Sequence, residues 1–195
     1  MIHPSLPVKT VKNLIALAKA RPGVLNHSMG SAGSSAHLAG ELFKSMAGIN
    51  MTGIAYRSDA MEIADILSGQ IDLTFGTAAF AMAHVKSGRL RAVAVTSLQS
   101  SVLFPGLVTV AASGLPGHET GTVMGLFAPA GTRTAVIGVL HQEVTRALRS
   151  AETRDRFLAA GIEPVGSSPE ESANLVRSEM SKWGKVIRDA GIKAN

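Results

Sequence analysis

The run Gly30-Ser31-Ala32-Gly33-Ser34-Ser35, followed by His37, gathers small residues, hydroxyls and one imidazole into eight positions. It lies between a segment that reads as a strand, Leu25 to Ser28, and one that reads as a helix. A helix N-terminus has unpaired backbone N–H groups and a partial positive charge, so a Gly/Ser turn feeding it can receive a carboxylate or another anion. Ser31, Ala32, Gly33, Ser34 and Ser35 are the candidate contacts, with His37 either orienting the turn or capping a ligand. The alternative is an ordinary strand-to-helix turn capped by Ser35, with His37 bonded to nearby backbone.

Three further turns follow predicted strands: Tyr56-Arg57-Ser58, Gly76-Thr77 and Thr96-Ser97. In a parallel sheet, turns that follow strands converge on one rim, where ligands of open α/β sheets settle. Tyr56, the single tyrosine, would bring a phenol donor there and Thr77 a hydroxyl. Arg57 could pair with a carboxylate through two parallel bonds. Each has a plainer role as well: Tyr56 packing on the sheet, Arg57 in solvent.

Enzyme signatures are absent. The chain contains no G-x-S-x-G elbow, H-E-x-x-H pair, phosphate loop or G-x-G-x-x-G fingerprint. The histidines at 3, 27, 37, 84, 118 and 141 form no i,i+3 or i,i+4 pair that could share a metal. No metal site and no cofactor is expected. A hydrolase using Ser34 or Ser35 as nucleophile and His37 as base is the rival from another class, but it has no evident acid partner for His37.

The elements that must position these residues alternate between helical and strand periods, which predicts an α/β fold with a mostly parallel sheet. Thr10 caps a helix from Val11 to Ala20, and a second runs through Leu38, Leu42, Phe43 and Met46 to Gly48. A strand from Met51 to Tyr56 leads to a helix capped by Ser58 and ended by Gly69. Ile71 to Phe75 is the next strand, Ala78 to Lys86 a helix, and Arg91 to Ser97 a buried strand. After a loop, Val123 to Ala128 reads as a further buried strand. Amphipathic helices follow over Ala135 to Arg149 and Ala151 to Ala160, then a short strand over Ile162 to Val165. Ser168, Pro169 and Glu171 form a capping box that opens the last helix.

Composition narrows the class. Of 195 residues, 46% are apolar and 17% charged, against a typical charged share of roughly 25%, so the chain can build a core. With no cysteine, disulfides and thiolate metal sites are excluded. The net charge of +5 comes from Lys and Arg spread evenly, nine before residue 98 and ten after, which fits a solvated surface and no nucleic-acid partner. The uncharged stretch from Ala92 to His118 contains Pro105 and Pro116 and is a poor membrane span. No basic and apolar leader precedes Pro4, so either the protein stays inside or its true beginning is missing.

The chain resembles the periplasmic receptors of tripartite tricarboxylate transporters, the Bug or TctC-like family. The resemblance rests on Ser5-Leu6-Pro7-Val8-Lys9-Thr10-Val11, on Gly33-Ser34 with His37-Leu38-Ala39-Gly40-Glu41-Leu42-Phe43, and on Gly69-Gln70-Ile71-Asp72. Leu90 to Ser97, Gly114-Leu115-Pro116-Gly117, Ala128-Pro129-Ala130-Gly131-Thr132 and Trp183-Gly184-Lys185-Val186-Ile187 extend it along the whole chain. It implies a two-lobed periplasmic-binding-protein-like fold of type II that closes on a small organic acid and passes it to membrane subunits. Residues 1–7 would be a hinge segment, 8–122 the second lobe and 123–195 the C-terminal part of the first. It also implies an N-terminal part, with a secretion signal and a second Gly-rich loop, that lies outside this sequence. A non-binding truncated remnant is the alternative. Departures from the family pattern fall at Met29 and Ser31, at Arg57-Ser58-Asp59, and at Gly76, where an aspartate is usual. The last of these removes a carboxylate that could recognise an amine or hydroxyl.

Overall fold

The computed structural model describes residues 1–192 and divides into two compact units. One unit holds residues 1–122 together with the described chain from Val186, and the other runs from Val123 to Lys185.

In the first unit α1 spans Val11–Ala20, opened by the Thr10 hydroxyl, which accepts the Asn13 N–H at 3.1 Å. Strand β1, Asn26–Gly30, leads into α2, Ser35–Ala47; β2, Thr52–Ala55, into α3, Asp59–Ser68; and β3, Leu73–Thr74, into α4, Ala78–Lys86. All three strands are parallel in the order β2-β1-β3, with His27 beside Gly53 and Leu73, and Ser28 beside Ile54 and Thr74. A bulge after Ser28 lets Gly30 pair with Ala55. Asn26 and Asp72 lock the start of β1 to β3 reciprocally, each backbone N–H donating to the other's side-chain oxygen at 2.9 Å.

The helices divide between the two faces of this sheet. Val11, Leu14, Phe43 and Ala47 of α1 and α2 belong to one apolar cluster, and Ile66 of α3 with Phe80 and Val85 of α4 to the other. Residues 1–7, expected as a hinge, run through the first unit: Ile2 bridges Leu73 and Arg91 in antiparallel fashion, and Ile2 and Leu6 are buried.

The packed face of α2 differs from the expected one. Phe43 is buried as expected, but its companions are His37, Ala39, Gly40 and Ala47, whereas Met46 is exposed. The cause is close approach: a Cβ on Gly40 would lie 2.4 Å from His27 Cε1. At this point of the helix only a glycine fits over the buried imidazole.

Three expected strands are not formed. Arg91–Ser97 pairs only at single bridges, Arg91 with Ile2 and Val95 with Thr109. The 123–128 and 162–165 segments have no ladder partner among the described residues, and Leu126 and Phe127 are 84% and 83% exposed. An apolar run fixes no strand by itself, because strand geometry needs a neighbour to satisfy its backbone groups.

The second unit contains α5, Thr134–Arg149, α6, Ala151–Ala159, and most of α7, Pro169–Asp189. The capping box of α7 is present as expected: Ser168 N–H donates to Glu171 at 2.8 Å and Glu171 N–H to the Ser168 hydroxyl at 3.1 Å.

Two stability predictions follow from the α2–β1 contact. Gly40→Ala forces overlap with His27 and should cost about 1–3 kcal/mol in urea unfolding; a variant as stable as the parent would contradict this packing. Burial pushes the His27 imidazole below its usual value, against a smaller upward pull from its bond to the Ser28 carbonyl. The unfolded chain therefore takes up a proton that the folded one resists, so stability is full above about pH 6.5 and falls as pH drops below it. The urea midpoint should decline from pH 7.5 to 5.5 in the parent, and less so in His27→Leu.

Candidate functional site

The turns after β1 and β3 lie at the C-terminal ends of neighbouring strands, and their helices depart to opposite faces of the sheet. In a parallel sheet ordered 2-1-3 this is the topological switch point, where a crevice opens between diverging turns. The turn after β2 lies one strand further out.

At the β1–α2 turn, the capping residue is Ser34 and not Ser35. Ser34 is extended, with φ −64° and ψ 163°, and its hydroxyl accepts the His37 N–H at 3.2 Å while donating to the Met29 carbonyl at 2.7 Å. Ser34 N–H donates to the Ser31 carbonyl at 3.0 Å, and Gly33 N–H to His37 Nδ1 at 3.0 Å. Gly30 and Gly33 have φ of 58° and 76°, values that favour glycine in both places. Gly33 and Ser34, two of the candidate contacts, thus have their donors engaged inside the turn. The hydroxyls of Ser31 and Ser35 have no hydrogen-bond partner among the described residues, and Ser31, Ala32 and Ser35 are exposed.

At the β3–α4 turn the Thr77 hydroxyl caps α4 by accepting the Phe80 N–H at 3.4 Å. Its own proton stays available to an incoming oxygen. Neither α2 nor α4 carries an acidic residue in its first turn, whereas α3 carries Asp59 and Glu62. The positive ends of α2 and α4 are thus left uncompensated.

The phenol of Tyr56 is engaged within the first unit. It donates to Asp65 Oδ2 at 2.8 Å and is pushed up to about 12, first by burial and then by the Asp65 bond and charge. Glu62 accepts the hydroxyls of Ser28 at 2.7 Å and Thr74 at 3.1 Å, tying α3 to β1 and β3. Sequence reasoning passed over Glu62 and Asp65; their i,i+3 spacing on a helix after Tyr56 was the available signal. Arg57 is exposed. Thr96 and Ser97 donate to the carbonyls of Thr120 and Gln99, so the fourth turn is internally bonded as well.

Among the described residues, Ser34 and His37 are not paired as nucleophile and base. Ser34 meets His37 through the backbone N–H, while the ring uses Nδ1 for Gly33 and holds Nε2 3.8 Å from Glu41. Among the described residues no cluster of three or more His, Cys, Asp or Glu could hold a metal, and no helix is long and apolar enough to cross a membrane. An open groove lined by Pro4, Leu90, Phe104 and Leu107 shares no residue with the turns.

The first unit is thus an α/β unit with polar turns at the switch point of its parallel sheet. The family model for the tripartite tricarboxylate transporter family receptor, TctC, matches residues 1–192, and the chain belongs to that family of receptors, which are not enzymes. Protein BugT of Bordetella pertussis is 31% identical over 98% of this chain and 59% of its own length. The structure of Rpa4515 from R. palustris, solved with adipate, superposes with a TM-score of 0.83 at 34% identity, covering 98% of this chain and 64% of that one. Periplasmic binding protein BugD gives a TM-score of 0.79 at 26% identity over 100% and 66%. The chain thus spans about 60% of the length of such relatives.

Because Tyr56 is the single tyrosine, absorbance at 295 nm reports it alone. Its ionisation should centre near 12, and Asp65→Asn should bring it part of the way back toward 10 while leaving the effect of burial. A midpoint at 10 in the parent would show the Tyr56–Asp65 bond to be absent.

Proposed function

We propose that this protein is the solute-binding receptor of a tripartite tricarboxylate transporter and that it captures a small di- or tricarboxylate at the β1/β3 switch point. The observation that carries the proposal is the pair of uncompensated helix N-termini, α2 and α4, on either side of that point. One ligand carboxylate would take the Ala32 N–H, the N–H groups and hydroxyls of Ser31 and Ser35, and the Thr77 hydroxyl. Gly33, Ser34 and His37 would shape the turn, and Tyr56 would brace its neighbour. The adipate bound by Rpa4515 favours a dicarboxylate.

In this proposal residues 8–122 are the second lobe, 123–195 the C-terminal part of the first, and 1–7 the connecting segment. The opposing wall of the cleft comes from sequence that relatives carry outside the matched region. The exposed Leu126 and Phe127 support an incomplete first lobe in this chain. Delivery to membrane subunits, in the periplasm, is part of the same proposal and is supported by the family membership.

Isothermal titration with di- and tricarboxylates tests the proposal on two forms: the 195-residue chain, and that chain joined to the part of BugT outside the match. The joined form should bind at least one acid, and the chain alone about 100-fold more weakly or not at all, since half the desolvating surface is missing. Ser35→Asp places a carboxylate in the first turn of α2, where the helix dipole welcomes it. It should keep or raise stability while weakening the acid by about tenfold or more. Failure of the joined form to bind any organic acid would remove the proposal.

A further inference from the structure

His37 occupies a position with two consequences. It is the third residue of α2, where a capping-box side chain reaches back to backbone N–H groups ahead of the helix. Here the imidazole takes that place, its Nδ1 accepting Gly33 N–H at 3.0 Å. An imidazole can accept at Nδ1 only when neutral with its proton on Nε2, and Nε2 lies 3.8 Å from Glu41 Oε1. Lys44 sits 2.6 Å from the same carboxylate oxygen. The ring is buried while Gly33 is exposed, so the His37 acceptor holds Gly33 N–H at the edge of the solvent.

We propose that His37 is the positioning residue of the β1–α2 turn, holding it in its binding shape through the Nε2–H tautomer and releasing Gly33 when the ring is protonated. Protonation places a hydrogen on Nδ1, so that two donors face each other at 3.0 Å. The Gly33 amide then loses its acceptor, and the segment from Ser31 to Gly33, tied otherwise by Ser34 N–H to Ser31 O, loosens. The charged groups facing the ring are Glu41 and Lys44 on its own helix, and His27 on β1 is the other titratable neighbour. Glu41 attracts a protonated ring and Lys44 opposes it. Burial makes His27 harder to protonate than an exposed imidazole, which lessens the charge it sets against His37.

The consequence for ligand binding rests on the carboxylate proposal above: affinity should fall as imidazoles protonate, from about pH 7.5 to pH 5. The direction is informative. A cationic side chain acting directly on an anionic ligand would strengthen binding toward acid, whereas a positioning imidazole weakens it.

Nitrogen-15 NMR on the 195-residue chain without ligand tests the tautomer first. The His37 Nδ1 should show the shift of an unprotonated ring nitrogen at pH 7.5, and a protonated Nδ1 there would overturn the proposal. The Gly33 amide protection factor should fall about tenfold between pH 7.5 and pH 5, the scale of one lost hydrogen bond. His37→Gln offers a side-chain oxygen that accepts but does not titrate, so its Gly33 protection should stay within about threefold of the parent at pH 7.5 and remain flat to pH 5. His37→Ala should lose the protection at both pH values. If His37→Gln keeps the parent's pH dependence, another group controls the turn and the proposal fails. Titrating adipate into the form joined to the BugT part separates the two proposals. Absence of binding at every pH would count against the carboxylate reading alone, and binding that strengthens toward pH 5 against the role of His37.

Discussion

The first unit depends on how closely α2 approaches β1. His27 is fully buried in the middle strand, flanked by Gly40 of α2 and Gly53 of β2, with Phe75 meeting it edge-on at 6.0 Å. Neither glycine is needed for its backbone freedom; each is needed because a methyl group would occupy the space of the ring or of Met29. This contact fixes the height of α2 above the sheet and hence where its N-terminus emerges. A bulkier interface would lift the helix and carry the Ser31–Ser35 turn with it.

On the other face a polar contact does the same for α3. Ser28 follows His27 in β1 and points to the opposite side, where its hydroxyl and that of Thr74 converge on Glu62. Two hydroxyl donors on one carboxylate oxygen let polar strand residues be buried without unpaired groups. Alternation along β1 thus gives one face an imidazole and the other a hydroxyl, and each selects its helix. The Tyr56–Asp65 bond adds a second tie between the β2–α3 turn and the same helix.

Local signals were legible in the sequence, and nonlocal ones were not. Thr10, Ser58 and Ser168 cap their helices as read, because a hydroxyl three residues ahead of a free N–H is a local arrangement. The cap of α2 was misplaced by one residue because Ser34 and Ser35 are equivalent as types; only the engagement of Ser34 with Met29 distinguishes them. The runs at 91–97, 123–128 and 162–165 look like strands by composition, yet a strand exists only where a partner runs beside it. The TctC family was readable from motif order alone, since many weak local matches in sequence accumulate. The division of labour within the turn, with some donors engaged and others free, required geometry.

Under the proposed function, that division would let a Gly/Ser turn receive an anion while already ordered. A turn with every N–H free would have to be ordered by the ligand, and the entropy of ordering would be subtracted from affinity. Here Gly33, Ser34 and His37 satisfy one another, leaving the free donors on a backbone already held. Asp59 and Glu62 make the first turn of α3 the least attractive of the three helix starts for an anion, and Glu62 is in any case committed to Ser28 and Thr74. In the proposed function, charge and topology favour the same place, the turns that follow β1 and β3, for different physical reasons: one sets where negative charge is tolerated, the other where the helices diverge.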